Sequence, residues 1–251
     1  MNTALKQGFT LAEGGKGTFE GFQLKLAFTM AEVLITLAII GVIAAMTLPS
    51  LINKTNNAEN VVALKKSYET LSQAFYRISS DNGSIINALS SVATHEDLAN
   101  IFISKLQISK NCGTASAKAS GCFMTVPNTP YKYLNGVNWS YISTDSTLST
   151  ILTNDNVSYA FHLDSPVCST DYGSYAGIKT SPLYNICGWI YADINGPNKG
   201  PSMMGRDVFW FFITQKGIYP RGSYRDAGSD CAGSDGFGCA GKVILESAMN
   251  Y

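Results

Sequence analysis

The chain has 251 residues, of which only 14% are charged, and its 18 Lys and Arg balance its 18 Asp and Glu. This neutral balance argues against a nucleic-acid-binding protein, because such proteins carry an excess of basic residues. The 13 Tyr, 12 Phe and 23 Gly are typical of an exported protein rich in strands and turns.

The amino end carries nearly the same hexapeptide twice, GFTLAE at 8–13 and AFTMAE at 27–32. The first copy is followed by glycines and charges, so it does not begin a membrane helix. Three origins stay open for it: a relic of duplication, a second recognition element for the same processing machinery, or a start codon placed too far upstream. In each case residues 1–27 belong to processing and are excluded from the fold prediction.

The second copy leads into an apolar run at 33–52, twenty residues without a formal charge. A bilayer core needs about 20 helical residues, so the run predicts a single membrane span. It is longer than the roughly 7–15 apolar residues of a secretory signal peptide, and no A-x-A cleavage site follows. Glu32 stands at its start, and a carboxylate at the edge of a membrane helix is a candidate functional residue.

Residues 27–32 with the apolar run resemble the class III signal of type IV prepilins and type II secretion pseudopilins. In that family a prepilin peptidase cuts before the apolar segment and usually methylates the new amino terminus. The resemblance implies cleavage between Ala27 and Phe28 and N-methylation of Phe28. Most members carry Gly before the cut, where this chain has Ala27.

The resemblance also implies an assembly role for Glu32, Gly41 and Pro49. In a filament the apolar helices pack together, and each Glu32 would neutralise the Phe28 ammonium of a neighbour, which also fixes the axial register. Gly41 and Pro49 fall where many members carry Gly and Pro. Because proline lacks an amide donor and clashes with the preceding turn, a kink or a local break is expected at Pro49.

A second helical pattern follows the apolar run. Its apolar residues recur at intervals of three and four and form one stripe: Val61, Leu64, Tyr68, Leu71, Phe75 and Ile78. This spacing predicts an amphipathic helix whose stripe packs on a sheet. We therefore expect one long spine helix, with a transmembrane half at 28–52 and an amphipathic half at 53–80, that ends at a turn over 81–83.

Residues 81–251 are expected to form a globular head. Helical spacing predicts a helix at 96–106, which Thr94-His95-Glu96 would open, and His95 is interpreted as a surface or capping residue. Aromatic and β-branched stretches predict strands at 157–163, 188–194 and 207–214, with a hairpin into 218–220. The fold class is α+β and pilin-like, a long amino-terminal helix packed on a carboxyl-terminal antiparallel sheet. His162 is read as an ordinary sheet residue.

Six cysteines stabilise this head in our interpretation: Cys112, Cys122, Cys168, Cys187, Cys231 and Cys239. Their even number and the lack of a CxxC pair favour disulfides in an oxidising compartment over a zinc site. The small polar stretch 111–122 reads as a disulfide-closed loop. Cys168 and Cys187 flank successive strands and are placed to bridge. Residues 231–239 resemble the disulfide-bounded terminal loop of type IV pilins.

The connection before the last strands is a candidate calcium site, because some pseudopilins bind calcium in a carboxyl-terminal loop. Its oxygen ligands would be Asp193, Asn195, Asn198 and Asp207. Asn and Asp are also what a glycine-rich turn selects, so a plain turn stays an alternative. A second acidic loop offers Asp226, Asp230 and Asp235. No other cofactor is expected.

The sequence contains no GxSxG, HExxH or phosphate-loop motif, so an enzyme is disfavoured. The resemblance implies a structural subunit of a type IV pilus-like or type II secretion pseudopilus filament. It would be anchored once in the bacterial inner membrane, with its head on the periplasmic or exterior side. The implied partners are prepilin peptidase, other pilin-like subunits and the inner-membrane assembly platform, and no nucleic acid. The alternative is a minor pilin-like adhesin or ligand-binding exported protein with the same anchor.

Overall fold

A computed structural model describes residues 28–114, 121–123, 131–145, 147–172, 181–200, 202–223, 231 and 235–251. The predicted leader, residues 1–27, lies outside these ranges. The helices are α1 (Met30–Asn82), α2 (Ile85–Leu89), α3 (His95–Ile103), α4 (Tyr141–Thr144), a 3-10 helix (Pro182–Tyr184) and α5 (Cys239–Glu246). The strands are β1 (Ile108–Gly113), β2 (Ser149–Thr153), β3 (Ser158–Leu163), β4 (Ile186–Asp193), β5 (Val208–Thr214) and β6 (Ile218–Pro220).

The spine helix α1 has 53 residues and ends at Asn82. Gly83 follows with a φ of 76°, a left-handed conformation that glycine adopts without a steric penalty, so the helix stops at the predicted turn. The contacts of the chain define two compact units, one that ends at Leu48 and one that runs from Pro49 to Tyr251. We describe each unit by itself.

The first unit contains the apolar part of α1. This is the one helix in the described residues that is long and apolar enough to cross a membrane, with a mean hydropathy of 2.3 over an 18-residue window. None of that window is buried. The predicted single membrane span is therefore supported by the length and composition of an exposed helix.

The second unit is built on a six-stranded sheet in which the strands follow chain order, β1 to β6. Every neighbouring pair is antiparallel, as shown by the registers Tyr159↔Ala192 and Tyr191↔Trp210. The predicted antiparallel meander is confirmed. Together with α1 it makes the α+β, pilin-like fold that the sequence predicts.

The stripe of the amphipathic half of α1 packs on one face of this sheet. Leu64 and Leu71 are fully buried, and Tyr68 stacks on Phe211 of β5 with ring centroids 6.1 Å apart. A buried 2.9 Å hydrogen bond between the Ser67 and Tyr159 hydroxyls also joins helix and sheet. The periodicity of three and four residues thus identified the buried side of the helix.

The opposite face of the sheet, which we call the outer face, carries a second core. Its largest members are aromatic and come from β4, β5 and the segment before α4: Tyr131, Trp139, Tyr191, Trp210 and Phe212. All seven residues of β5 are buried because both faces of this strand are covered. Strand β5 therefore reads as a continuous apolar run without polar alternation.

Three disulfides cross-link the head and join Cys112 to Cys122, Cys168 to Cys187, and Cys231 to Cys239. These are the pairs that the sequence brings close together or places at the ends of successive strands. Each bridge closes a short loop, with sequence separations of 10, 19 and 8 residues. Such closure limits the freedom of the unfolded chain and so stabilises the folded head.

Candidate assembly site at the amino end of the spine helix

Thr29 and Glu32 form a reciprocal cap at the start of α1. The Glu32 backbone N–H donates to Thr29 Oγ1 at 3.2 Å, while Glu32 Oε2 accepts from the Thr29 backbone N–H at 2.9 Å and from its hydroxyl at 2.8 Å. This is a capping box, in which a Thr and a Glu three residues later satisfy amide groups that a helix start leaves unpaired. The Glu32 carboxylate is thereby held at the first turn of the helix.

An apolar surface follows this cap. Twelve large apolar side chains of the first unit are exposed: Phe28, Met30, Val33, Leu34, Ile35, Leu37, Ile39, Ile40, Val42, Ile43, Met46 and Leu48. A helix that is apolar on all sides requires a lipid bilayer or other helices around it. Among the described residues, no other part of the chain buries this surface.

Phe28 lies next to the cap and exposes 82% of its surface. Ala27, the other side of the predicted cleavage point, lies outside the described residues. A cut between the two would create a free ammonium on the residue that directly precedes Thr29. The new positive charge on Phe28 and the Glu32 carboxylate would then be four residues apart in the sequence.

Gly41 and Pro49 both lie inside α1. A Cβ added at Gly41 would meet no atom within 4 Å, so packing within this chain does not require a glycine there. The helix is continuous through Pro49, which excludes the local break that the sequence suggests. The helix tolerates the missing amide donor of Pro49, because it continues on both sides of this residue.

Three of the four predicted calcium ligands meet in a turn between β4 and β5. The Asn195 amide Nδ2 donates to Asp207 Oδ2 at 3.4 Å, and the Asn195 backbone N–H donates to Asp193 Oδ1, also at 3.4 Å. The fourth, Asn198, is exposed. The Asn195 Oδ1 atom is buried and accepts no hydrogen bond from the described residues.

Two hydroxyl groups hold the Asp193 carboxyl inside the head. Tyr131 and Ser202 both donate to its Oδ2, at 2.7 and 3.2 Å. Burial, and then the nearby Asp207, raise the pKa of Asp193 to about 8, and burial raises that of Asp207 to about 6. Desolvation disfavours the charged form of a carboxyl group, so at neutral pH this turn carries less negative charge than its sequence suggests.

Within the described residues, no three His, Cys, Asp or Glu side chains converge as metal ligands do. The turn offers two carboxyl groups and one amide oxygen, and both carboxyl groups already accept hydrogen bonds. Calcium binding there stays a prediction. Of the second acidic loop, Asp226 and Asp230 lie outside the described residues, while Asp235 accepts from the Phe237 backbone N–H at 3.0 Å in a local turn.

Two partners of the site residues were missed in the sequence. The hydrogen-bond partner of Glu32 within its own chain was not predicted, although the spacing Thr29-x-x-Glu32 is the signature of a capping box. Tyr131, which donates to Asp193, lies 62 residues away in sequence, and no local pattern connects the two. A short-range signal could have found the first partner, and only the folded chain gives the second.

No family model, curated protein or solved structure matches this chain.

Proposed function

We propose that this chain is a structural subunit of a filament of the type IV pilus or type II secretion pseudopilus kind. It would be made as a membrane-anchored precursor in the bacterial inner membrane and processed by prepilin peptidase between Ala27 and Phe28. The processed subunits would then assemble through the apolar half of α1, with the help of an inner-membrane platform.

The observation that carries this proposal is a carboxylate fixed at the first turn of an exposed, membrane-length helix. A carboxylate at the edge of a membrane helix is unfavourable by several kcal/mol once it is desolvated without a compensating charge. A partner ammonium removes this penalty. Removal of the leader supplies one on every subunit, at Phe28.

The architecture of the second unit supports the same function. Its helix stripe is buried against the meander, so the head is fixed to the amphipathic half of α1. The apolar half, taken by itself, exposes its large side chains and offers a surface to other subunits. Disulfides in all three described cysteine pairs fit an exported head.

The test is the substitution Glu32→Gln in the native cells, with filament formation followed by electron microscopy and by sedimentation of sheared material. We expect the variant to reach the membrane at the wild-type level and to form no filaments. Glu59→Gln is the matched control, because Glu59 is an exposed acid on the same helix. Wild-type assembly by Glu32→Gln would contradict the proposal.

A further inference from the structure

The outer face of the sheet opens into a pocket of about 410 Å³. This volume is in the range of sites that hold small molecules. Four of its rings are only half-buried, those of Tyr133, Tyr141, Trp189 and Phe237. They come from four separate segments of the chain, so the fold assembles an aromatic surface that stays open to solvent.

A buried polar group lies in the same pocket. Tyr191 of β4 exposes 3% of its surface and lines the pocket. Burial is the main cause that raises the pKa of Tyr191 well above its ordinary value. The group is therefore a neutral hydroxyl, able both to donate and to accept.

The guanidinium group of Arg221 adds hydrogen-bond donors to the pocket. Its guanidinium carbon lies 3.8 Å from the centroid of the Trp210 ring and 5.0 Å from that of Phe237. Stacking on two rings fixes the planar group in one orientation. Tyr141 helps to raise the pKa of Tyr191 and Arg221 helps to lower it, and all three side chains line the pocket.

The charge of the pocket is close to balanced. Arg221 is the one charged residue among the described lining residues. The hydroxyl of Tyr141 is hydrogen-bonded to Asp145, which places a carboxylate at the rim. A single-stranded nucleic acid requires a basic groove along its phosphate backbone. The described lining of this pocket forms no such groove.

We propose that the pocket binds a pyranose ring of a neutral carbohydrate. The C–H face of a sugar ring is apolar and stacks on aromatic rings, while its hydroxyl groups pair with polar atoms at the edge. The half-buried rings provide the stacking surface. The Tyr191 hydroxyl and the Arg221 guanidinium provide the hydrogen bonds. This binding activity goes beyond filament assembly and does not depend on it.

The test uses the full chain in lipid nanodiscs, which avoids detergents with sugar headgroups. Cellobiose, maltose and lactose are each titrated up to the millimolar range while tryptophan fluorescence is recorded. All three tryptophans of the chain, Trp139, Trp189 and Trp210, lie in or beside the pocket. We expect at least one disaccharide to change the fluorescence in a saturable way.

Tyr191→Phe should weaken that binding about tenfold, the loss expected for one hydrogen bond. Tyr133→Leu, which removes a half-buried stacking ring and keeps an apolar side chain, is the second variant and should also weaken binding, with the unfolding midpoint measured alongside. Tyr76→Phe is the matched control, because Tyr76 is exposed on α1, and it should bind like the wild type. The proposal is overturned if no disaccharide saturates, if both pocket variants bind like the wild type, or if oligothymidylate binds and the sugars do not.

Discussion

The imidazole rings of His95 and His162, the two histidines of the chain, lie with their centroids 4.2 Å apart. His95 Nδ1 accepts a 2.8 Å hydrogen bond from the Leu163 backbone N–H, so this nitrogen carries no proton. His162 stacks in turn on Trp189, with centroids 3.7 Å apart. The first residue of α3 is thereby joined to the end of β3 by a pair of neutral rings.

This pair should make the head sensitive to acid. Burial lowers the pKa of both rings, that of His162 to about 4, whereas an unfolded histidine titrates near pH ~6.5. A lowered histidine pKa means that the folded chain disfavours the proton. The stabilisation is therefore complete above pH ~6.5 and is lost as the pH falls from there toward ~4.

The measurement compares the free energy of unfolding of the wild type and of His162→Gln, by denaturation followed with circular dichroism. We expect the advantage of the wild type to be constant above pH ~7 and to shrink at lower pH. Effects of carboxylates common to both proteins cancel in the difference. A difference that is independent of pH would show that the folded chain does not lower the pKa of His162.

The buried Asp193 should have the opposite pH dependence. Its pKa is raised to about 8 by burial and by Asp207, so the folded chain favours the protonated carboxyl. That stabilisation is present below the unfolded pKa near ~3.9 and is lost as the pH rises through ~8. Asp193→Asn cannot ionise, so its stability relative to the wild type should rise between pH ~5 and ~8.

This titration of unfolding free energies is run with EDTA and then repeated with calcium. A bound cation would keep Asp193 and Asp207 ionised and would remove the pH dependence, which tests the calcium prediction directly. With EDTA, a relative stability of Asp193→Asn that falls as the pH rises would mean that Asp193 is charged in the folded chain.

Two neighbouring positions on α1 test the packing of the stripe. Leu64 is fully buried, while Val62 exposes 68% of its surface. Leu64→Ala should lower the free energy of unfolding by about 2–5 kcal/mol, because it leaves a cavity in the core. Val62→Ala should change it by no more than about 0.5 kcal/mol. Denaturation followed by tryptophan fluorescence reports the head, and equal effects would mean that the stripe does not face the sheet.

Gly41 separates folding from assembly. Because no atom of the described residues lies within 4 Å of a Cβ added there, Gly41→Leu should leave the unfolding midpoint of the head unchanged. In a filament, small residues let membrane helices approach closely, so the same variant should form fewer filaments. Thr36→Leu adds bulk on another side of the helix and should have a weaker effect on filament yield. Equal yields from both variants would remove Gly41 from the assembly surface.

The long elements were predictable because their residues carry a strong local period. The stripe of α1, the strands β3 to β5 and the cap of α3 at Thr94 all follow from such patterns. Strands β1 and β2 were not predicted. Strand β1, ISKNCG, is mostly polar and exposed, and bulges interrupt its pairing with β2. Its strand conformation comes from the pairing and not from its own residue preferences.

The two candidate sites also differ in how far the sequence predicts them. Glu32 and its apolar run are contiguous in sequence, so a motif and a length were enough to find them. The outer-face pocket combines Tyr133, Trp189 and Arg221 from segments that the fold brings together. Neither a motif nor a spacing marks it, because each ring by itself reads as an ordinary core residue. Its discovery required the positions of the folded side chains.

The most direct test of the filament account is the intact mass and the amino-terminal fragment spectrum of the protein from its own membrane fraction. The account predicts a chain that begins at Phe28, carries one added methyl group and has lost residues 1–27. That result would place a free ammonium beside Thr29 and Glu32. A chain that keeps residues 1–27 in cells with an active prepilin peptidase would contradict the account and leave α1 as a plain anchor.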